Sequence, residues 1–291
     1  MRVVSLVPAA TEIVYAIGAT SELVAVTHDD DYPPAVRVLP RVTRSTIPRG
    51  ASAREIDRRV REAGSRGEST FHLDEQALRD ARPDVILGQT LCAVCAITLD
   101  RIPAHLPRTP QVVSLDASSI DGMFEDVRRI GAALGRDGEA ERLIHGLESR
   151  LAAVEARVTG RARPRVACLE WLDPLFNAGH WVPEQVRIAG GEDVLGTAGA
   201  RSREIGWADV LAARPEIVIA MPCGWDAERA ATEAVRLGES VGDARVLGVD
   251  GAAFFSRPGP RLVDGVELLA SIFHPDAVAA PDGAIAIPVS V

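Results

Sequence analysis

The sequence has no lysine, and its 32 basic residues are all arginine. Schiff-base enzymes and Walker-type P-loop ATPases both need a lysine where the chemistry takes place. Lysine-dependent catalysis and P-loop nucleotide hydrolysis are therefore excluded.

Cysteine is scarce as well, with four residues in a chain of 291. They are too few and too scattered to form a disulfide scaffold, which favours a reducing compartment. The four cysteines are Cys92, Cys95, Cys168 and Cys223.

Long apolar runs are also absent. No run approaches about 18 residues, the length that indicates a transmembrane helix. The first residues do not show a basic segment followed by an apolar one, which is the pattern of an export signal. We therefore expect a cytoplasmic protein without membrane insertion, or a periplasmic one if a leader has been removed from the chain.

Positive charge is in deficit, since 41 acidic residues give a formal net charge of -9. Nucleic acids and anionic membranes bind cationic surfaces, so neither is an expected partner. With 47% hydrophobic and 25% charged residues the chain is globular and long enough for one large or two smaller domains. A small molecule is the expected partner.

Two stretches of the sequence repeat each other. "EQALRDARPDVILG" begins at Glu75 and "WADVLAARPEIVIA" at Trp207. In each, a short helix is predicted to end at Arg-Pro, and a continuous apolar strand follows. The repeat predicts two similar α/β lobes.

The sequence between the two halves is predicted to be helical, with Ser118 or Ser119 as a cap. The stretch from Gly135 to Gly138 is expected to divide it into two helices. We therefore assign residues 1–117 to an N-terminal α/β lobe, 118–160 to a connecting helical segment and 161–291 to a C-terminal α/β lobe.

Aromatic and polar residues gather in loops that follow the predicted strands, and ligands bind at the carboxyl ends of strands in open α/β sheets. Trp171, Trp181 and Trp225 adjoin such strand ends, and as a group they favour a ligand-binding wall over core packing. The stretch "LEWLDPLFNAGHWVPE", residues 169–184, is predicted to be an irregular loop after a strand that ends at Leu169.

Two further motifs have competing interpretations. The C-x-x-C of Cys92 and Cys95 suits a redox pair or half of a metal site, but small residues at the start of a helix explain it better. His28 stands beside three consecutive aspartates that could bind a hard metal ion. Helix caps or solvated turns are the favoured interpretation of those acids.

Several loops together resemble a known family. The stretches "SLVPAATEIVYAIGA", "THDDDYP", "LCAVCA", "LEWLDPLFNAGHWVPE" and "MPCGWD" are similar, in order and spacing, to the cobalamin-binding members of the class III substrate-binding proteins of ABC importers. The third and fourth resemble a leaderless branch of that family. The resemblance implies two Rossmann-like α/β lobes joined by a long rigid helix, with a corrinoid held in the cleft between them.

From the resemblance and the loops we expect a protein that is not an enzyme and that binds cobalamin for intracellular storage, delivery or salvage. His180 is the first candidate ligand of the cobalt and His28 the second. The candidate ligand contacts are Tyr32, Gln89, Cys92, Cys95, Glu170, Trp171, Asn177, His180, Trp181, Glu184, Pro222, Cys223, Trp225 and Phe255.

Two alternatives stay open. One is a haem or ferric-siderophore receptor of an ABC importer, and the other is a thiol-dependent enzyme that modifies a corrinoid or tetrapyrrole through Cys92, Cys95 and Cys223. Receptors of this family dock on a permease through an acid on each lobe. The second lobe offers Asp226 and Glu228, but the first has no acid at the matching place, so docking to a permease is not predicted.

Overall fold

The computed structural model describes residues 1–89, 99–103 and 106–289, without the side chains of residues 238–240. The chain divides into two compact units. Unit 1 comprises Met1–Ala117 and Asp121–His145, and unit 2 comprises Ser118–Ile120 and Gly146–Val291. Each unit has its own β-sheet with flanking helices, so the predicted α/β fold with two lobes is confirmed.

The sheet of unit 1 has four described strands in the order β2-β1-β5-β6, and all neighbours are parallel. Its central strands are short and fully buried, as expected for parallel strands covered on both faces. A separate antiparallel pair, β3 and β4, flanks helix α2 in sequence. The strands of this unit are β1 (Val3–Ser5), β2 (Leu23–Ala25), β3 (Thr43–Ser45), β4 (Phe71–Leu73), β5 (Val85–Gly88) and β6 (Gln111–Ser114). The helices before the connecting segment are α1 (Pro8–Ala16), α2 (Ala53–Ser65) and α3 (Glu75–Ala81).

Two helices follow β6. They are α4 (Ile120–Leu134) and α5 (Asp137–Val158), separated by Gly135 at a positive φ of 64°. The predicted division of the helical segment near Gly135 is therefore confirmed. The boundary between the two units lies within α5, between His145 and Gly146.

The sheet of unit 2 has six described strands, five of them in the order β12-β11-β10-β7-β8, with β9 paired to β7. β7, β10 and β11 are parallel, whereas β8 and β12 are antiparallel to their neighbours. The strands are β7 (Arg165–Leu172), β8 (Leu175–Asn177), β9 (Glu192–Asp193), β10 (Ile217–Ala220), β11 (Arg245–Val249) and β12 (Ala286–Pro288). The helices of this unit after α5 are α6 (Val182–Ile188), α7 (Trp207–Ala213), α8 (Ala227–Ala234), α9 (Gly251–Phe254) and α10 (Leu262–Phe273).

The stretch 169–184 differs from its prediction. β7 does not end at Leu169 but continues to Leu172, and β8 returns antiparallel to it after a turn at Asp173 and Pro174. The register shift between Leu169 and Trp171 interrupts the alternation of side chains, which is why the sequence does not show the period of a strand. Trp171 is therefore part of a hairpin and not of an irregular loop.

Candidate functional site

The carboxyl ends of β7 and β10 bring two tryptophans together in unit 2. The two strands are adjacent and parallel, with Leu169 opposite Ala220. Trp171 follows two residues after that position on β7, and Trp225 lies in the turn after β10. Their ring centroids are 5.3 Å apart at an interplanar angle of 51°. The sequence predicted both residues at strand ends, and their contact follows from the strand order.

A positive charge lies on this aromatic pair. The guanidinium carbon of Arg229, in the first turn of α8, is 4.0 Å from the centroid of the Trp225 ring. Asp226 caps α8 by accepting the backbone N–H of Arg229 at 2.8 Å, which fixes the start of the helix next to Trp225. Arg229 was not among the predicted site residues. Its spacing of four residues after Trp225 was the available signal, once the helix start was known.

The turn after β10 is held by backbone contacts. The Cys223 N–H donates to the carbonyl of Glu170 at 3.2 Å, and the Trp225 N–H donates to the carbonyl of Pro222 at 3.1 Å. Gly251, after β11, approaches this turn closely, because a Cβ there would lie 2.4 Å from the Pro222 carbonyl oxygen. Four predicted contact residues, Glu170, Pro222, Cys223 and Trp225, thus lie on neighbouring backbone at the same edge of the sheet.

Trp181 is buried in unit 2. It is 6% exposed, and its indole N–H donates to the carbonyl of Phe255 at 2.7 Å. Gln185 on α6 donates to the carbonyls of Phe254 and Leu262, at 3.1 Å and 2.8 Å. These two side chains fix the segment from Phe254 to Leu262 against α6. Phe255 itself is 3% exposed. Contact of Trp181 or Phe255 with a ligand stays a prediction.

Asn177 holds a loop in place with its side-chain amide. Its Nδ2 donates to the carbonyl of Leu195 at 3.0 Å, and its Oδ1 accepts the N–H of Arg203 at 2.9 Å. The amide therefore connects the two ends of the loop between residues 195 and 203. The absence of a side chain at Gly179 lets this loop approach closely, since a Cβ there would be 2.5 Å from the Ser202 nitrogen.

His180 has a half-buried ring and a positive φ of 52°. Its backbone pairs with the same loop, because its N–H donates to the Ala200 carbonyl and its carbonyl accepts the Gly199 N–H. Burial, and next the charge of Arg201, lower the pKa of the His180 imidazole. A neutral imidazole is the form that binds metals. Ligation of cobalt by His180 stays a prediction.

Glu184 has a structural contact in unit 2. Its Oε2 accepts the backbone N–H of Ile120, the first residue of α4, at 2.8 Å. One carboxylate oxygen is thus used at the start of a helix, where a negative charge is stabilising. The predicted hydrogen bond from Glu184 to the amides of a corrinoid is untested.

In unit 1, two predicted contact residues follow strands. Tyr32 lies after β2 and makes an edge-on contact with Tyr15, with ring centroids 5.9 Å apart. Gln89 directly follows β5 and is half-buried. Cys92 and Cys95 lie outside the described residues.

His28 is engaged within unit 1. Its Nδ1 lies 2.7 Å from the Thr43 hydroxyl oxygen, and its Nε2 lies 3.3 Å from a carboxylate oxygen of Asp29. Burial lowers the pKa of its imidazole more than the nearby Asp29 and Asp30 raise it. The neighbouring Asp30 carboxylate accepts the Thr27 N–H at 2.7 Å, as expected for a turn. Among the described residues, no group of three or more His, Cys, Asp or Glu side chains is arranged to hold a metal ion.

The family model of the periplasmic binding proteins matches residues 3–237. This chain belongs to that family. A relative from the family, an uncharacterized ABC transporter substrate-binding lipoprotein of Bacillus subtilis, is 23% identical, and the match covers 94% of this chain and 80% of the relative. A vitamin B12-binding protein of Vibrio cholerae is 22% identical over 91% of this chain and 86% of its own length.

Several solved structures share the fold. A periplasmic heme binding protein from Pseudomonas aeruginosa has a TM-score of 0.71 at 19% identity, and the match covers 100% of this chain and 98% of that one. The periplasmic vitamin B12 binding protein of Vibrio cholerae has a TM-score of 0.63 at 19% identity, over 94% and 96% of the two chains. Haem and vitamin B12 binders are thus both among the similar structures, and at these identities the likeness establishes only the fold.

Within the part of the chain that the structure describes, no helix combines the length and the hydrophobicity needed to cross a lipid bilayer.

Proposed function

We propose that the protein binds cobalamin or a related corrinoid and stores, delivers or salvages it without chemical turnover. The observation that carries the proposal is the Trp171–Trp225 pair with Arg229 stacked on it, at the carboxyl ends of β7 and β10. Planar macrocycles bind to aromatic side chains, and this edge of an α/β sheet is where ligands bind.

The curated relatives support a corrinoid over other macrocycles. The similar proteins from Vibrio and Salmonella are named vitamin B12-binding proteins, and they match 75% to 91% of this chain. His180, whose imidazole pKa is lowered by burial and by the charge of Arg201, is the proposed ligand for the cobalt. We also propose that the protein works in the cytoplasm, in keeping with its few and scattered cysteines, which cell fractionation with a specific antibody would test.

Haem is the second candidate, because several similar structures are named heme-binding proteins. The arginine on the aromatic pair is compatible with it, since haem carries two propionate carboxylates that a guanidinium can bind. The experiment therefore has to offer both ligands to the same preparation.

Equilibrium dialysis against hydroxocobalamin and against haem tests the proposal. We expect retention of about one cobalamin per chain. An equal concentration of haem should displace little of the bound cobalamin, because the peripheral amides of a corrinoid offer many hydrogen bonds that haem lacks. A Trp171→Ala, Trp225→Ala double variant should retain at least tenfold less, as expected when buried aromatic anchors are removed. The conservative Trp207→Phe variant, changed at a tryptophan outside the aromatic pair, is the matched control. Retention of haem while cobalamin passes through would contradict the proposal.

A further inference from the structure

The guanidinium of Arg229 is held in an unusual position for a surface arginine. It lies on the face of Trp225, which is only 3% exposed and which in turn contacts Trp171. A guanidinium stacked by its flat face keeps its N–H donors in the plane, directed outward from the ring. The cation–π contact therefore places the positive charge of Arg229 at the aromatic pair.

Charged groups of both signs lie near Arg229. Asp226 accepts the backbone N–H of Arg229, and Glu233 pairs with Arg236 at 3.5 Å. Asp250, at the end of β11, accepts the N–H of Ala253 at 2.7 Å as the cap of α9. Cationic groups also lie close to this edge, because Arg257 and Arg261 both act electrostatically on the Asp250 carboxyl.

A second donor belongs to the same aromatic pair. The indole N–H of Trp171 is buried, and it has no hydrogen-bond acceptor among the described residues. A buried donor without an acceptor costs about 1–3 kcal/mol, so such groups commonly serve a ligand. A charged donor and a neutral donor thus belong to one pair of stacked rings.

We infer that Arg229 recognises an anionic oxygen at the periphery of the planar ligand, with the Trp171 N–H as a second donor to the ligand. The inference rests on the proposed function and adds to it a selection by charge. In cobalamin the anionic group is the phosphodiester of the nucleotide loop, and in haem it is a propionate. A ligand without such a group loses the charge-assisted hydrogen bond, which is stronger than one between neutral groups.

The test compares ligands with and without the anion. Binding of hydroxocobalamin and of cobinamide, which lacks the phosphodiester, is measured for wild type and Arg229→Gln. We expect the substitution to weaken hydroxocobalamin binding about 10- to 100-fold, the range for one charged hydrogen bond. Cobinamide binding should change less than about twofold, since cobinamide lacks the anionic oxygen that the guanidinium would bind.

Two variants separate charge from packing. Arg229→Lys keeps the charge but not the planar stack, so it should restore part of the preference for hydroxocobalamin over cobinamide. Arg236→Gln removes an arginine that is 76% exposed, and it should leave both affinities unchanged. Equal losses for both corrinoids in Arg229→Gln, or no loss for either, would overturn the inference.

Measurements of haem binding distinguish a failure of this inference from a failure of the proposed function. If wild type binds neither corrinoid but binds haem, the proposed corrinoid function is wrong. The same variants are then compared on haem and on haem dimethyl ester, whose propionates are neutral. A loss confined to haem supports the role of Arg229, whereas equal losses overturn it. Wild type that binds none of the four ligands overturns both.

Discussion

The carboxyl group of Asp126 lies on α4, where only 1% of the residue is exposed. Its Oδ2 accepts the N–H of Ala117 at 3.1 Å, and its Oδ1 accepts from Arg129 at 3.0 Å. Burial raises the pKa of this carboxyl from 3.8 to about 6, and it outweighs the lowering by those two contacts. The folded state therefore favours the protonated acid relative to the unfolded chain.

The raised pKa of Asp126 predicts a dependence of stability on pH. A group whose pKa is higher in the folded state contributes stability that is complete below its unfolded pKa and is lost as the pH rises through about 6. When the pH is lowered from 7.5 to 5, protonation of this carboxyl should raise the free energy of unfolding by about 1 kcal/mol. Denaturant unfolding at several pH values measures it.

The Asp126→Asn variant isolates the contribution of this carboxyl. On acidification the free energy of unfolding of this variant should rise by about 1 kcal/mol less than that of wild type, because the amide does not titrate. Asp121→Asn, at an exposed acid on the same helix, should keep the wild-type dependence. Parallel curves for wild type and Asp126→Asn would show that the carboxyl titrates alike in both states.

The predicted contact residues do not all have the same role. Trp171 and Trp225 were expected at strand ends, and they contact each other there. The amide of Asn177 connects Leu195 to Arg203, and the expected binding of ligand amides by Asn177 stays a prediction. The sequence identifies residue types suited to a ligand, yet an amide serves a loop backbone equally well. Only the partner within hydrogen-bonding distance distinguishes the two roles.

At the scale of elements, the two repeated helices end with nearly the same backbone conformation. α3 ends at Arg82 with φ 44° and ψ 58°, and α7 ends at Arg214 with φ 46° and ψ 60°. Both residues are in the left-handed region, which relieves the unpaired carbonyls at a helix end. Proline follows each arginine and prevents the helix from continuing.

The first strands of the two sheets continue the repeat. The Arg2 N–H donates to the Asp84 carboxylate at 2.8 Å, and the Arg165 N–H donates to the Glu216 carboxylate at 3.1 Å. The side chains of both arginines also reach the last residue of the repeat helix in the same unit, at the carbonyls of Ala81 and Ala213. The same three elements are thus joined by the same contacts in each unit.

The left-handed residues predict a gain in stability on substitution by glycine. A side chain in this region is strained by about 1–2 kcal/mol, whereas glycine adopts it freely at a cost in unfolded-state entropy. Arg82→Gly and Arg214→Gly should each raise the free energy of unfolding by about 0.5–1 kcal/mol, as measured by denaturant unfolding.

Ala153→Gly on the exposed face of α5 is the control for these two variants. It should lower stability by about 1 kcal/mol, since glycine in a helix interior is unfavourable. A loss of stability in both Arg82→Gly and Arg214→Gly would mean that the arginine side chains stabilise the helix ends more than the strain costs.

At the scale of the whole molecule, each unit has its own sheet and its own buried core. The core of unit 2 includes several residues that we propose as ligand contacts, namely Trp181, Trp225 and Phe255. Trp171 is only half-buried, and its N–H has no acceptor in the part of the chain described here. A ligand that contacts such groups stabilises the folded chain by mass action.

Cobalamin is therefore expected to protect the whole chain against unfolding. At a free concentration 100 times its Kd it should add about 2.7 kcal/mol to the free energy of unfolding. For a chain of this size that corresponds to an increase in Tm of roughly 5–10 °C, measured by differential scanning calorimetry.

Haem at the same multiple of its own Kd, if it binds at all, is the comparison. Stabilisation by haem together with no change in Tm from cobalamin at any concentration would contradict the proposed ligand and favour the haem alternative.

The sequence by itself determined the fold class. Two similar helices each end at Arg-Pro, and a continuous apolar strand follows each of them. These signals indicated two α/β lobes with parallel strands, because they act through local sterics and burial. It also indicated the break between α4 and α5 at Gly135. Each of these features depends on neighbours along the chain, which the sequence displays directly.

Only the tertiary structure decided which side chains meet. The contact of Trp171 with Trp225 depends on β7 lying beside β10, and the stacking of Arg229 depends on the residue at which α8 begins. The indole N–H of Trp181 finds its acceptor in the Phe255 carbonyl, 74 residues later in the chain. Such contacts join distant parts of the sequence, and their distances are set by strand order and register, which no local pattern encodes.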